Sequence, residues 1–329
     1  MFVVNIENKG FAETWGPSSA APYLAQTLRS KGVLLHFYYG TAHHSEPNYV
    51  AQISGQGPNA QMQSDCRVYS AFKQHGTRWP GQAVGTGCVF PKDVDSLPLQ
   101  MSHNGLSWKG YMEGMARPCE HPRLNSQDTT QQATSTHEYA ARHDPFVYFR
   151  SITSRARYCT SHVVPLAQLR SDLQRVSTTP NLVYITPDLC DDGHDSPCAN
   201  GEAGGLAAVN LWSRKWVPKI LASPAFRRDG LLIITADESA GPQSDASACC
   251  GEDTGVNAPS PGISGPGGGR IGALVISRWT RPGSSSRVEY NHYSLLATIE
   301  HIFGLPRLGY ARSPHVAPFG RDVFNRASS

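Results

Sequence analysis

The sequence predicts an α/β fold around a mainly parallel sheet, and three observations carry that expectation. Apolar runs recur along the chain: FVVNI at 2–6, VLLHFYY at 33–39, NLVYITPD at 181–188, GLLIITADE at 230–238 and IGALVIS at 271–277. Between them APYLAQTLRSKG, VPLAQLRSDLQRV, the stretch from GLAAVNLW to KILAS, and YSLLATIEHIFG carry helical periodicity. Polar residues then gather just after the apolar runs, where open parallel sheets place their ligands.

Bulk composition narrows the class. A chain of 329 residues can bury a large core, and 39% hydrophobic with 17% charged residues describes an ordinary globular protein. The net charge of +3 comes without a Lys/Arg block, so no nucleic-acid partner is expected. No apolar run approaches the roughly 20 residues of a membrane span, so no stable membrane insertion is expected either. Segments at about 56–163 and 239–270 are rich in Gly, Pro, Ser, Gln and Cys, with weak periodicity. They read as long loop insertions in a single domain over 1–329.

Eight cysteines with no zinc-type spacing favour disulfides and a secreted or otherwise extracytoplasmic setting. Cys190 and Cys198 flank CDDGHDSPC, and Cys249 and Cys250 are adjacent. Connectivity stays open, since eight cysteines allow about 105 pairings. The opening MFVVNIEN lacks a basic segment followed by a long apolar one, so export requires a leader not present in this sequence.

The strand ends hold the candidate chemistry. The first run leads to Glu7 and Asn8, and the second to His43, His44 and Ser45. The third leads to Asp188, Asp191, Asp192, His194 and Asp195, the fourth to Asp237 and Glu238, and the last is followed by His292. Taken alone, Ser45 reads as a helix cap, with Glu46 facing the positive end of the dipole and Pro47 in the first turn. Asp237 and Glu238 argue for more, because adjacent carboxylates at a crowded sheet edge repel, and a divalent cation relieves that. Oxygen ligands with histidines suit zinc, manganese, magnesium or calcium. Beside such an ion a serine hydroxyl becomes a competent nucleophile, and Asn48, one turn on, can donate to a phosphate oxygen.

The motifs ENKGF, HSEPNYVAQISG, RHDPFVYF, TPDLCDDGHD, LLIITADES, GGGRIGALVIS and NHYSLLATIEHIFGL span nearly the whole chain. In their order the chain resembles the phosphoesterase family that includes bacterial acid phosphatases and phosphatidylcholine-type phospholipases C, a branch of the alkaline phosphatase superfamily. The resemblance implies an alkaline-phosphatase-like, three-layer α/β/α sandwich. It implies that Ser45 is the nucleophile and that Glu7, Asn8, Asp237 and Glu238 join it in holding a cation. His143 and His194 match histidines that contact the phosphoryl group, and Asn48 matches a phosphate-binding asparagine. Asp191, His194 and His292 fall in the order of a second metal site in the wider superfamily. Asp144 stands where the family commonly has asparagine. The implied activity is metal-dependent hydrolysis of a phosphate ester through a phosphoserine, as a phosphomonoesterase. His194 is the expected leaving-group acid, since an imidazole changes charge near neutral pH. Alternatives are a phospholipase C-type diesterase, a non-catalytic phosphate- or metal-binding protein, and a sulfatase-like activity for which Ser45 lacks the formylglycine consensus. Oligomeric state and natural substrate are not read from the sequence.

Overall fold

Apolar, β-branched runs become strands where helices can cover both faces of a sheet. The computed structural model describes residues 1–251 and 255–326. Its strands are β1 (Phe2–Ile6), β2 (Val33–Tyr39), β3 (Lys73–Arg78), β4 (Gln82–Thr86), β5 (Trp108–Met112), β6 (Val163–Pro165), β7 (Leu182–Thr186), β8 (Leu231–Ala236), β9 (Ala273–Ser277) and β10 (Ser284–Asn291). Eight of them form one sheet in the order β10-β2-β9-β8-β1-β7-β5-β6, and β3 with β4 makes a separate hairpin. Pairing in the large sheet is parallel except at β9, which runs against both β2 and β8.

All five expected strands are present in the large sheet; its other three strands, and the β3-β4 hairpin, were not expected. β10 is an edge strand whose polar sequence SSSRVEYN is half exposed, β6 is three residues long, and Lys and Gly interrupt the apolar character of β5. Each therefore lacks the continuous apolar run that marks a central strand. Because β5 lies inside 56–163 and pairs with β7, that segment is part of the sheet and not an insertion throughout. The 239–270 segment carries no helix or strand beyond isolated bridges among its described residues, and residues 252–254 of it lie outside them.

Alternation along β1 sorts the two faces. Asn5 and Glu7 meet Gln52, Ser45 and Tyr49 of the helix Ser45–Ser54, whereas Phe2 packs on Phe226 of the helix Pro224–Asp229. The helix His292–Phe303 packs beside Ser45–Ser54, and Gly205–Ala222 beside Pro224–Asp229, so helices cover both sides of the sheet. Asn291 caps His292–Phe303 by accepting the Ser294 N–H at 3.0 Å.

All eight cysteines pair: Cys66–Cys88, Cys119–Cys159, Cys190–Cys198 and the adjacent Cys249–Cys250. Two of the bonds close loops within 56–163, where little regular structure would otherwise restrain the chain.

Glu300, buried on the helix His292–Phe303, accepts the Leu308 N–H at 2.8 Å. Burial raises its carboxyl to about 9, only partly offset by Leu308, Arg307 and Arg312. The folded state therefore holds a proton that the unfolded chain releases near pH 4.5, and stability falls as pH climbs from there towards 9. Glu300→Gln keeps the acceptor and removes the titration. Thermal melts should show it more stable than the parent by roughly 3 °C at pH 8, with the gain gone at pH 4.

Candidate active site

Strand register builds this site before any side chain contributes. β1 pairs with β8 so that Ile6 lies opposite Ala236, which makes Glu7 and Asp237 the next residues out along the same edge. The Asp237 N–H donates to the Ile6 carbonyl at 3.0 Å, and the Glu7 N–H donates to the Asp192 carbonyl at 2.9 Å. Three carboxylates from three strand ends are thereby fixed through backbone bonds, all with essentially no solvent exposure.

Ser45 arrives from the turn after β2. It is the first residue of the helix Ser45–Ser54, behind a His44 cap that makes no side-chain capping bond. Its Oγ donates instead to Glu7 Oε2 at 2.9 Å, so Ser45 is not the cap its position suggested. Tyr49, one turn on, donates its hydroxyl to the other oxygen of Glu7 and stacks on His143 at 5.4 Å between centroids. His143 reaches Asp192 Oδ2 with Nδ1 at 3.1 Å and lies 3.3 Å from Glu7 Oε2 with Nε2. Ligand atoms of Glu7, His143 and Asp192 all fall within 4.8 Å of one another.

The electrostatics are one-sided. Burial, then the charges of Asp237 and Asp192, raises the Glu7 carboxyl well above the usual range. Burial likewise raises Asp192 strongly and Asp237 to about 6. His143 offers no compensating charge, since burial and then Arg142 and His194 hold it well below its ordinary value. Asp237 Oδ2 and His143 Nε2 are buried without a hydrogen-bond partner. A nest of carboxylates facing a neutral imidazole, with an oxygen and a nitrogen unfilled, has the donor set of a hard or borderline divalent cation.

Other expected residues take different places. Glu238 is turned onto His43 Nδ1. Asn8 offers its backbone N–H to Asp237 Oδ1 at 2.9 Å. Asn48 is a correction: its Oδ1 accepts the N–H groups of Thr41 and Ala42 at 2.8 and 3.1 Å, and its Nδ2 donates to the carbonyls of Ala42 and His44 at 2.8 and 2.9 Å. Both amide hydrogens are spent on the turn that presents Ser45. Glu46 lies in the first turn at the positive end of the helix dipole, as expected, but is buried without a side-chain partner, and burial raises it well above the carboxylate range.

The second-metal grouping of Asp191, His194 and His292 is not brought together. Asp191 gathers with Glu113 and Asp188 beyond β5 and β7. Both ring nitrogens of His292 are engaged, by the Asp237 carbonyl at 2.6 Å and the Tyr38 hydroxyl at 3.1 Å, so it braces the Asp237 backbone from beneath. His194 holds Asp195 Oδ1 with Nδ1 at 2.7 Å and meets an Arg142 guanidinium nitrogen with Nε2 at 3.1 Å. Asp144 accepts the Phe146 N–H and the Tyr139 hydroxyl, which makes it a turn residue.

Arg142, Asp192, Asp195 and Tyr49 are site residues that were not assigned roles from sequence. Arg142 is 2% exposed, and an arginine immediately before His143 in RHDPF was the signal the sequence offered. Tyr49 carried none, because an aromatic on a helix reads as core.

Asn48→Ala would leave two buried N–H groups without acceptors. Denaturant melts should show a loss of about 2–4 kcal/mol, whereas a residue acting only on substrate would leave stability unchanged.

Comparison with known proteins finds phosphatases among the relatives of this chain. The chain is 24% identical over 308 residues to an acid phosphatase of Aspergillus fumigatus, covering 94% of this chain and 55% of that protein. It is 23% identical over 312 residues to a phosphatidylinositol-3-phosphatase of Mycobacterium tuberculosis, covering 94% and 78%. The chain spans little more than half the length of the fungal and yeast acid phosphatases it matches. Its fold superposes on a member of the alkaline phosphatase superfamily from Vibrio parahaemolyticus with a TM-score of 0.54 at 12% identity, covering 98% and 71% of the two chains. The pattern of the Phosphoesterase family matches residues 6–306, and the chain belongs to that family.

Proposed function

We propose that this chain hydrolyses phosphate monoesters with Ser45 as nucleophile and a divalent cation held by Glu7, Asp237 and Ser45, with Asp192 and His143 beside them. The observation that carries the reading is the Ser45 hydroxyl bonded to Glu7 Oε2 inside a nest of buried carboxylates at a helix N-terminus. When bound, the cation lowers the pKa of a hydroxyl it touches and neutralises phosphoryl oxygens. Its identity is left open by this donor set, which suits zinc, manganese, magnesium or calcium.

The residues present divide the work. Ser45 Oγ forms a bond to phosphorus, its proton leaving along the existing hydrogen bond to Glu7 as the bond to the leaving oxygen breaks. The positive end of the Ser45–Ser54 helix favours the phosphoryl oxygens, with the Glu46 N–H itself already given to Asp65 Oδ1 at 3.1 Å. Arg142 adds a full positive charge, which favours a dianionic monoester over a monoanionic diester. An incoming phosphate oxygen competes with His194 Nε2 for that guanidinium; the released Nε2 takes a proton from solvent, and the ring, held at Nδ1 by Asp195, gives that proton to the leaving oxygen. Water then attacks the phosphoserine, releasing phosphate and restoring the serine.

Four disulfides support an extracytoplasmic setting. Among the described residues no helix is long and apolar enough to cross a membrane.

Ser45→Ala should lower p-nitrophenyl phosphate turnover by at least about 10³-fold while circular dichroism and the melting temperature stay close to the parent. Activity retained in the purified variant removes Ser45 as nucleophile. Chelation should abolish activity and lower the melting temperature, and metal analysis with re-addition of single ions would identify the cation.

Arg142→Gln should reduce kcat/KM for p-nitrophenyl phosphate by about 10²-fold. The loss on p-nitrophenyl phosphorylcholine should be smaller. Equal losses on both esters argue against a monoester-selecting role, and a parent enzyme that prefers the diester overturns the monoester reading.

A further inference from the structure

A cavity of about 940 Å³ opens at the end of the sheet opposite Ser45. Met1 and Phe2 at the start of β1, Asn181 ahead of β7, and Leu231 at the start of β8 line it. Glu7, Asp192 and Asp237 follow the other ends of those strands, a separation of about 15–20 Å at roughly 3.3 Å per residue. The cavity is thus distinct from the candidate active site, and its volume lies within the range of small-molecule sites, about 300–1,000 Å³.

Its lining is of two kinds. Phe303, Phe319 and Phe324 supply apolar wall. Three of the eight large hydrophobic side chains exposed among the described residues, Val176, Trp279 and Ile302, stand around the same opening. That concentration sets it apart from scattered surface apolar residues. The second kind is basic: Arg228, His301, Arg321 and Arg326 share the lining with one carboxylate, Asp229, whose Oδ2 already meets Arg228 Nε at 3.2 Å. Arg321 and Arg326 make no ion pair among the described residues.

The neutral polar side chains narrow the ligand further. Thr179 Oγ1 donates to the Asp172 carbonyl at 2.8 Å, and Asn181 Oδ1 accepts from the Ser107 N–H and hydroxyl at 2.9 Å each. The Thr179 hydroxyl and the Asn181 amide oxygen are thus already engaged, which leaves few free acceptors for a sugar or a nucleobase edge. What the cavity offers is apolar contact with positive charge at one side. We propose that it binds a single-tailed anionic amphiphile, a fatty carboxylate, with the chain against Phe303, Phe319 and Trp279 and the head at Arg321 and Arg326.

Calorimetric titration of the full chain with dodecanoate below its micellar concentration tests this. The expected result is saturable binding at one site per chain, at least about tenfold weaker for dodecanol and for the Arg321→Glu/Arg326→Glu variant. Turnover of p-nitrophenyl phosphate by that variant should equal the parent's, and inorganic phosphate should not displace dodecanoate, so the outcome is separate from that of the hydrolase reading. Absence of saturable binding, equal affinity for dodecanol, displacement by phosphate, or binding only to anionic vesicles each overturns the proposal. Should the charge-reversed variant melt early, Arg321→Gln/Arg326→Gln serves instead, and an unchanged ratio of dodecanoate to dodecanol affinity in it has the same overturning force.

Discussion

The site depends on carboxylates being held together against their own repulsion. Glu7, Asp192 and Asp237 are each buried, and each is placed by backbone rather than by a partner charge. Register between β1 and β8 sets two of them side by side, and the Glu7 N–H to Asp192 carbonyl bond brings the third. Isolated in the interior, such a group costs several kcal/mol per charge unless it is protonated or paired. Among the described residues no arginine forms an ion pair with them, although the charge of Arg142 is felt at Asp192, and burial with Arg142 and His194 keeps the nearest imidazole, His143, from carrying a charge. The rest of the fold therefore has to be stable enough to carry an arrangement that is unfavourable until a cation or a proton enters it.

Around that core, other polar residues act as scaffolding. Asn48 holds the turn that presents Ser45, His292 supports the Asp237 carbonyl from below, and Asp144 terminates one short helical turn and starts another. Each is a conspicuous polar residue in a motif, and each spends its hydrogen bonds within the protein, on backbone and on the hydroxyls of Thr41, Tyr38 and Tyr139. In such a site the residues that touch substrate are outnumbered by those that hold them, because a displacement of about 1 Å is enough to cost much of the rate.

This distribution explains what could be read from the sequence and what could not. Strand order along the chain and the apolar runs were legible, so Glu7, Ser45 and Asp237 could be placed at one edge. Ser45 and Asp237 then converge with Glu7 as strand ends on a parallel sheet do, whereas His143 comes from a short turn in the long connection between β5 and β6 and was reached only through the family resemblance. The role of Asn48 was not legible, since an amide one turn after a serine looks the same whether it faces phosphate or a carbonyl. Nor was the separation of Asp191 from Asp192. These neighbours point into different clusters, one with Glu113 and Asp188 and one with Glu7 and His143, because consecutive residues of a turn diverge. β10 was missed because half its residues face solvent, and β5 because Gly110 and Lys109 interrupt an otherwise apolar strand.

Arg142 shows how a buried charge can be tolerated beside so acidic a nest without filling it. Its guanidinium is committed to His194 and the Gln131 carbonyl, with Asp65 at 4.0 Å, and no bond to Glu7 or Asp237 is formed. A direct ion pair with Glu7 would satisfy the carboxylate and leave nothing to attract a cation or a phosphoryl group. Held one shell away by an imidazole and a carbonyl, the positive charge still biases the site towards anions while the inner oxygens stay available. Tyr49 plays the complementary part from the helix side, giving Glu7 a neutral hydroxyl in place of a counter-charge. Neutral donors inside and a guanidinium outside orient the carboxylates without neutralising them, and that is the condition under which one serine hydroxyl in their midst can be made reactive.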